Sequence, residues 1–428
     1  MSEPELLVEC ATLVGDESQH SAMLLRLNEC SPRPSPFFTP EYIRTYLTHN
    51  ERYSRNQMEA FILLARAPKS REIVAALPLK RVWDRSQIVP FRRIEFLVGT
   101  EIDLPPLLAA PDGQLPAARA MLRALTRLLH RASLVELIHQ PGHSPLYQAK
   151  DAARAPWADV RHSKGMPISS IRPRHADLGA YFHSLSHKMR SNVSRLARRL
   201  FSQGQLTYLT ASAPEATADL LEVYLDVEDR SWKVGTDASL RRHPLRVEMY
   251  RRLLRSPGKV RYHIDVLLLK EVPIAAQVSM QFHRTLFAME TCFDETYGDC
   301  GPGNLMLLLA VHRALDLQVE EISLHGHFEY YKHRWQAETL ETRDVRILRK
   351  GSVPHARAVA GAALRRIRGE ADRKIGIPLG QPQRSQESSH HKEPPRSVEL
   401  AAKLRSHSMV TRLDDATLRA LLPFPTPR

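Results

Sequence analysis

Three consecutive runs of β-branched and large apolar residues, 260–269, 274–282 and 285–293, are followed by a turn containing Gly298, Gly301, Pro302 and Gly303. A strongly apolar stretch at helical spacing, 303–317, comes next. A short meander feeding one buried helix leaves few options: the helix must lie on the sheet that the strands make. The flanking segments extend the pattern. Helices are expected over 178–201, with a break near Ser186 or His187, and over 216–232 and 244–255. Strands are expected over 206–210, 321–324 and 342–348, with a short helix over 329–335.

The first part of the chain repeats this order. A helix over 18–29 leads through a Pro-rich loop, 31–40, into a second helix that starts near Pro40. Strands over 59–67, 72–83 and 92–98 precede a helix over 115–131, where Ala118, Met121, Leu122, Leu125, Leu128 and Leu129 share one face. A strand over 134–139 closes the set. The expected fold class is α/β (α+β layered), with mixed, mainly antiparallel sheets. The expected division is a first lobe over 1–168, a second over 169–350 and a basic, partly disordered tail over 351–428. In the tail, 356–368 reads as a basic helix. Low hydrophobicity over 376–396 reads as disorder, and 398–422 reads as a small docking helix.

Composition narrows the class. Of the 428 residues 43% are apolar and 25% charged, which excludes a mainly disordered chain. No apolar run approaches the ~20 residues of a membrane span. The start, MSEPELLVEC, lacks the pattern of a signal peptide. Cys10, Cys30, Cys292 and Cys300 form no CxxC pair and read as reduced thiols, so a cytoplasmic protein without a metal is expected. The net charge is +14, and half of it lies beyond residue 350. A second basic cluster, Lys188, Arg190, Arg195, Arg198 and Arg199, contains no acid. Such excess favours anionic partners: nucleic acid, phosphorylated cofactors, acidic glycans or a membrane surface.

Two segments gather groups that do chemistry. Gly301, Pro302, Gly303 and Asn304 lie where a strand passes into a helix. Free N–H groups and the helix dipole at such a turn can hold a pyrophosphate, or the residues simply turn the chain. Beyond the short strand at 321–324 come His325, His327, Glu329, Tyr330, Tyr331, Lys332 and His333. His and Glu can take a proton and Tyr can give one; the same residues also suit a solvated helix cap. His325 and His327 lack a third nearby ligand, so a metal is not expected. Trp232 and Lys233 end a helix at Glu228–Lys233, as a cap or as one wall of a cleft.

The ordered set of short motifs carries a resemblance. It comprises Pro36-Phe37-Phe38-Thr39-Pro40-Glu41; Leu185-Ser186 with Lys188, Arg190 and Asn192; Ser231-Trp232-Lys233; Ile274-Ala275; Pro302-Gly303; and Gly326 with Tyr331-Lys332. Over about residues 20 to 350 the chain resembles the cellulose-biosynthesis-associated branch of the GNAT acetyltransferase superfamily. More distantly it resembles the Fem-type peptidoglycan aminoacyltransferases. The resemblance implies two tandem GNAT-like lobes, the second holding acetyl-CoA or another acyl-CoA with its pyrophosphate at Gly301, Pro302, Gly303 and Asn304. An amine or hydroxyl acceptor, such as one on a sugar or polysaccharide precursor, would attack the thioester directly. His327 or Glu329 would be the base and Tyr331 the acid, with Lys332, Trp232 and Lys233 contacting substrate. The usual phosphate loop, Gln/Arg-x-x-Gly-x-Gly/Ala, is replaced here by Tyr297-Gly298-Asp299-Cys300-Gly301-Pro302-Gly303. His327 stands where an acidic or small residue is usual. Two alternatives stay open: aminoacyl transfer from charged tRNA, and a non-catalytic binder in an exopolysaccharide pathway. No stable nucleic-acid complex is expected, and the tail is expected to favour peripheral contact with an anionic membrane.

Overall fold

A computed structural model of the chain describes residues 6–13, 18–50, 55, 57–85, 89–98, 104–212, 214–326, 330–372 and 410–422. Two eight-stranded sheets form its frame. The first contains β1 (Leu7–Thr12), β2 (Met58–Arg66), β3 (Ile73–Asp84), β4 (Phe91–Phe96), the short β5 (Leu108–Ala109), β6 (Leu134–Pro141) and β7 (Ala158–Lys164). β2, β3 and β4 make an antiparallel meander, the helix Gln114–Arg127 follows, and β6 returns parallel to β4.

The second sheet repeats the plan. β9 (Leu206–Ala211) is followed by the helices Pro214–Glu228 and Pro244–Arg255, then by the meander β10 (Arg261–Leu269), β11 (Val272–Phe282) and β12 (Thr285–Phe293). The helix Pro302–Asp316 crosses over, and β13 (Glu321–Gly326) returns parallel to β12. The matching order in the two halves is therefore a matching topology: a mixed α/β architecture with two tandem halves, as expected.

Where each half would close its own sheet, the halves exchange strands. β8 (Ile168–Ile171) follows β7 directly but pairs with β13 of the second sheet. β15 (Thr342–Arg349) follows the three-residue β14 (Glu338–Leu340) but lies between β6 and β7 of the first. Each sheet thus takes one interior strand from the other half. Strand periodicity shows which residues face a core; it does not name the partner strand.

Alternation along the strands builds three large cores and one small cluster of Phe91, Leu134 and Leu348 among the described residues. In β2, Ile62 and Leu64 face the core between the two sheets, while Phe61, Leu63 and Ala65 face the helix Gln114–Arg127. In β10, Ile264, Val266 and Leu268 join that shared core, while Leu267 and Leu269 face the helices His187–Gln203 and Pro302–Asp316. The helix Pro302–Asp316 buries Leu305, Leu308, Leu309 and Val311. Each contributes ~1.5–3 kcal/mol of transfer free energy, which fixes the helix axis against the sheet.

Several elements differ from expectation. β1, β7, β8 and β14 were not foreseen: β1 is a largely exposed edge strand, and β8 and β14 have four and three residues. The tail segment 398–422, expected as one helix, contains β16 (Val410–Leu413), which pairs with the β9 edge, and then the helix Asp415–Leu421. Asp415 accepts from the Leu206 amide at 2.9 Å, and Leu418 and Leu422 are buried, so the helix does dock. The basic helix spans Val353–Asp372. The segment 376–396 lies outside the described residues.

Candidate active site

β12 and β13 pair for only three residues, Thr285 with Glu321, Leu286 with Ile322 and Phe287 with Ser323. Both strands then bend. β12 carries a bulge: Val278 of β11 pairs with Glu290 and Ser279 with Ala288, leaving Met289 extra. β13 breaks its register on β8 between Ser323 and Gly326, and His325 takes a φ of 57°. Parallel strands that part in this way leave backbone N–H and C=O groups of Ala288–Phe293 without a β13 partner. The opening is a slot in the sheet, lined by main-chain polar groups.

The turn that follows β12 ends beside this slot. Arg230 donates to Asp294 Oδ2 at 2.6 Å and to the Pro273 carbonyl at 2.7 Å, and the Asp294 side chain caps Thr296. These bonds tie the 294–300 turn to the helix that ends at Glu228. Gly301 then adopts the left-handed conformation, φ 62° and ψ 47°, where a Cβ would meet the Leu196 side chain at 2.7 Å. Gly301 is the N-cap of Pro302–Asp316 and offers no side-chain cap, and a Cβ on Gly303 would sit 3.2 Å from the Phe293 ring. The helix start has no side-chain cap and lies close to the slot, although the Gly301 and Asn304 amides donate to the Gly298 and Gly301 carbonyls at 3.0 Å and Pro302 has no N–H. Its positive end is flanked by Arg199, which donates to the Asp299 carbonyl at 3.3 Å. Gly301, Pro302, Gly303 and Asn304 are therefore together at one end of the slot.

On the other side of β12 lies a buried ionic cluster. Lys233 Nζ donates to Glu290 Oε2 at 2.6 Å and to the Tyr224 hydroxyl at 3.0 Å, and lies 3.8 Å from Glu228 Oε1. Arg246 donates to Glu290 Oε1 at 2.7 Å. Glu228 also accepts from the Tyr224 and Ser239 hydroxyls, at 3.2 and 3.0 Å. Two cations thus face two carboxylates. Burial raises the Tyr224 hydroxyl and the Cys292 thiol well above their ordinary ranges, so both stay protonated. Glu290 and Arg246 escaped the sequence reading; the one signal for Glu290 was a lone acid in an otherwise apolar strand. Lys233 is buried in this cluster, whereas its neighbour Trp232 is 50% exposed.

At the end of β13, Lys332 is buried and donates to the Gly326 carbonyl at 2.9 Å, fixing the strand end. Tyr331 is 47% exposed on the short helix Tyr330–Arg334. His327 and Glu329 lie outside the described residues. Among the described residues, no group of three or more His, Cys, Asp or Glu side chains is placed to hold a metal, and no helix is long and apolar enough to cross a membrane.

Residues 187–333 match the family model described as acetyltransferase (GNAT) domain. No curated protein matches the chain. Among solved structures, FemX superimposes with a TM-score of 0.50 at 10% identity, over 79% of this chain and 96% of that one. A conserved protein of unknown function from Bacteroides thetaiotaomicron gives 0.49 at 11% identity, over 80% and 100%. A tandem GNAT protein from the clavulanic acid biosynthesis pathway gives 0.44 at 15% identity, over 81% and 99%. Residues 187–333 are thus similar to a GNAT acetyltransferase domain, and they lie in a chain whose two halves share one strand and helix order.

Proposed function

We propose that the protein is an acyltransferase that moves an acyl group, acetyl first among them, from acyl-CoA to an amine or hydroxyl acceptor by direct attack in a ternary complex. The observation that carries this reading is the slot between β12 and β13, which opens beside an uncapped helix start. The thioester arm would lie in the slot. An unpaired backbone N–H of β12 would polarise its carbonyl as negative charge develops on the oxygen. The CoA phosphates would rest on the turn at Gly301, Pro302, Gly303 and Asn304.

The acceptor would enter from the Trp232 side, where an exposed indole suits a sugar face. Lys233 serves there by holding Glu290 and hence the bulge of β12. His327 or Glu329 would take the acceptor proton, and Tyr331 would protonate the departing thiolate. Lys332 keeps the β13 end in place. An acceptor on a glycan precursor would agree with the cellulose-associated branch of the superfamily, and a cytoplasmic location with an acyl-CoA donor.

Two tests follow. Saturating acyl-CoA at ~100 times its dissociation constant should stabilise the fold by ~2.7 kcal/mol, read as a rise in Tm of a few degrees. No rise with any thioester, alongside one with bulk tRNA, would transfer the assignment to aminoacyl transfer. Tyr331→Phe and His327→Ala should each lower turnover by ~10²-fold or more with Tm preserved. Unchanged rates would remove these two residues from the chemistry and leave the donor assignment standing.

A further inference from the structure

A cavity of about 970 Å³ lies at the opposite end of the second sheet from the slot. It opens at Thr285 and Glu321, where β12 and β13 begin, whereas the slot opens toward Phe293. Along β12 the two ends, Thr285 and Phe293, lie about 26 Å apart. The cavity wall joins both halves of the chain: the loop Pro32–Pro34 and His143 come from the first, and the β11–β12 hairpin and the segment after β8 from the second.

Four guanidinium groups line it, from Arg33, Arg172, Arg174 and Arg284, against the carboxylates of Glu320 and Glu321. Glu321 is shared: Arg33 pairs with one oxygen, and Arg172 approaches the other at 3.4 Å. The remaining two arginines are loosely held. Arg284 pairs at 2.8 Å with Glu320, both side chains being largely exposed, and Arg174 lies 4.0 Å from Glu338 outside the wall. Exposed pairs of this kind are weak and exchange readily for a better anion. His143, His175 and His283 add hydrogen-bond donors, and Pro32, Pro34 and Pro173 stiffen two of the walls. Glu338 also pairs with Arg172 at 3.3 Å, so four guanidinium groups face three carboxylates, an excess of one cation, and guanidinium forks match phosphoryl oxygens bidentately.

We infer that this cavity binds a small phosphorylated ligand carrying two negative charges or more, with a diphosphate spanning Arg284 and Arg174 on one side and Arg33 and Arg172 on the other. The volume suits a nucleotide-sized molecule. Because its walls come from both halves, the ligand would clamp them together. The site is separate from the proposed acyl-CoA site and does not depend on it.

Calorimetric titration of the full chain with inorganic pyrophosphate and with ADP tests the inference. The double variant Arg174→Gln/Arg284→Gln alters only exposed side chains and should keep its Tm. It should weaken binding by ~10-fold or more, since each lost contact is a charge-assisted hydrogen bond. The Arg174→Lys/Arg284→Lys variant should recover part of that loss, and added salt should weaken binding to the unaltered protein. An unchanged affinity in the Gln variant overturns the inference. So does an absence of binding at millimolar ligand, or binding that acetyl-CoA displaces and the Gln variant leaves intact, which would place the anion in the slot. Association with phosphatidylglycerol vesicles in the absence of pyrophosphate binding would assign the basic lining to a membrane and overturn it as well.

Discussion

Replacing Lys233 by Met is expected to destabilise the protein by about 3–5 kcal/mol, one of the largest single-residue effects the fold can show. The cause is charge balance in a sealed space. The side chains of Lys233, Glu290 and Glu228 are 6%, 6% and 0% exposed. With Lys233 present, two cations meet two carboxylates. Without it, Arg246 still donates to Glu290, but the two carboxylates have lost one of their cations. Glu228 keeps the Tyr224 and Ser239 hydroxyls and the Arg241 amide as donors but loses its nearest cation, leaving a buried carboxylate without a counter-charge beside it.

The same argument predicts a rescue. Adding Glu228→Gln restores one cation against one carboxylate, retains an oxygen to accept from the Ser239 hydroxyl and the Arg241 amide, and offers an amide that can donate to the Tyr224 hydroxyl freed of Lys233. The double variant should regain most of the loss, a coupling that denaturant melts on the four members of the cycle would measure. A single variant within ~1 kcal/mol of the unaltered protein would show that the cluster is not charge-tight. Additive single effects would show that Glu228 and Lys233 do not act together. Activity should fall with stability here, since Glu290 sits at the β12 bulge that helps open the slot.

Much of this frame is legible in the residues, and what is not has identifiable physical causes. The break between two helices near Ser186 is written in the sequence, because Ser186 is an N-cap whose hydroxyl accepts from the Met189 amide at 3.3 Å. The meander and the apolar helix after it appear within one or two residues of their expected bounds, because each buries one face with the period of its own geometry. The exchange of β8 and β15 is invisible to such reasoning. The four residues of β8 are all buried and carry no alternation that could name a partner strand. The phosphate turn is legible as a small-residue junction, but the reason for Gly301 lies in a helix more than a hundred residues earlier, at Leu196. Glu290 is not legible because its partners lie 44 and 57 positions away, Arg246 on a helix and Lys233 in the turn after one. A search for clusters along the chain finds His327 and Glu329 and passes over a cluster that only folding assembles.

Acid should loosen the protein before its carboxylates begin to protonate, and His263 is the reason. This histidine of β10 is 1% exposed and is held neutral down to about pH 3, against an ordinary 6.5. Burial is the main cause and the Arg313 guanidinium the second. Arg313 Nη2 donates to His263 Nδ1 at 2.7 Å, so that nitrogen must carry no proton, and the Nε2–H faces Gln281 Oε1 at 3.3 Å. Above pH 6.5 the imidazole is neutral in folded and unfolded chains alike and adds no pH dependence. Below it the unfolded chain takes up a proton that the folded one refuses. Stability therefore falls by up to ~1.4 kcal/mol per pH unit until about pH 3. Between about pH 7 and about pH 5, where few carboxylates titrate, this amounts to ~2 kcal/mol. His263→Gln can accept from Arg313 and donate to Gln281 without a titrating ring, so its stability should decline less over that interval by this amount. Equal declines in denaturant melts at the two pH values would refute the assignment. The consequence extends to the site. Arg313 also pairs with Asp265 and Thr210, and so seats the last turn of Pro302–Asp316, the helix whose first turn would receive the CoA phosphates. Acyl-CoA affinity should therefore weaken over the same interval in the unaltered protein and hold in the Gln variant.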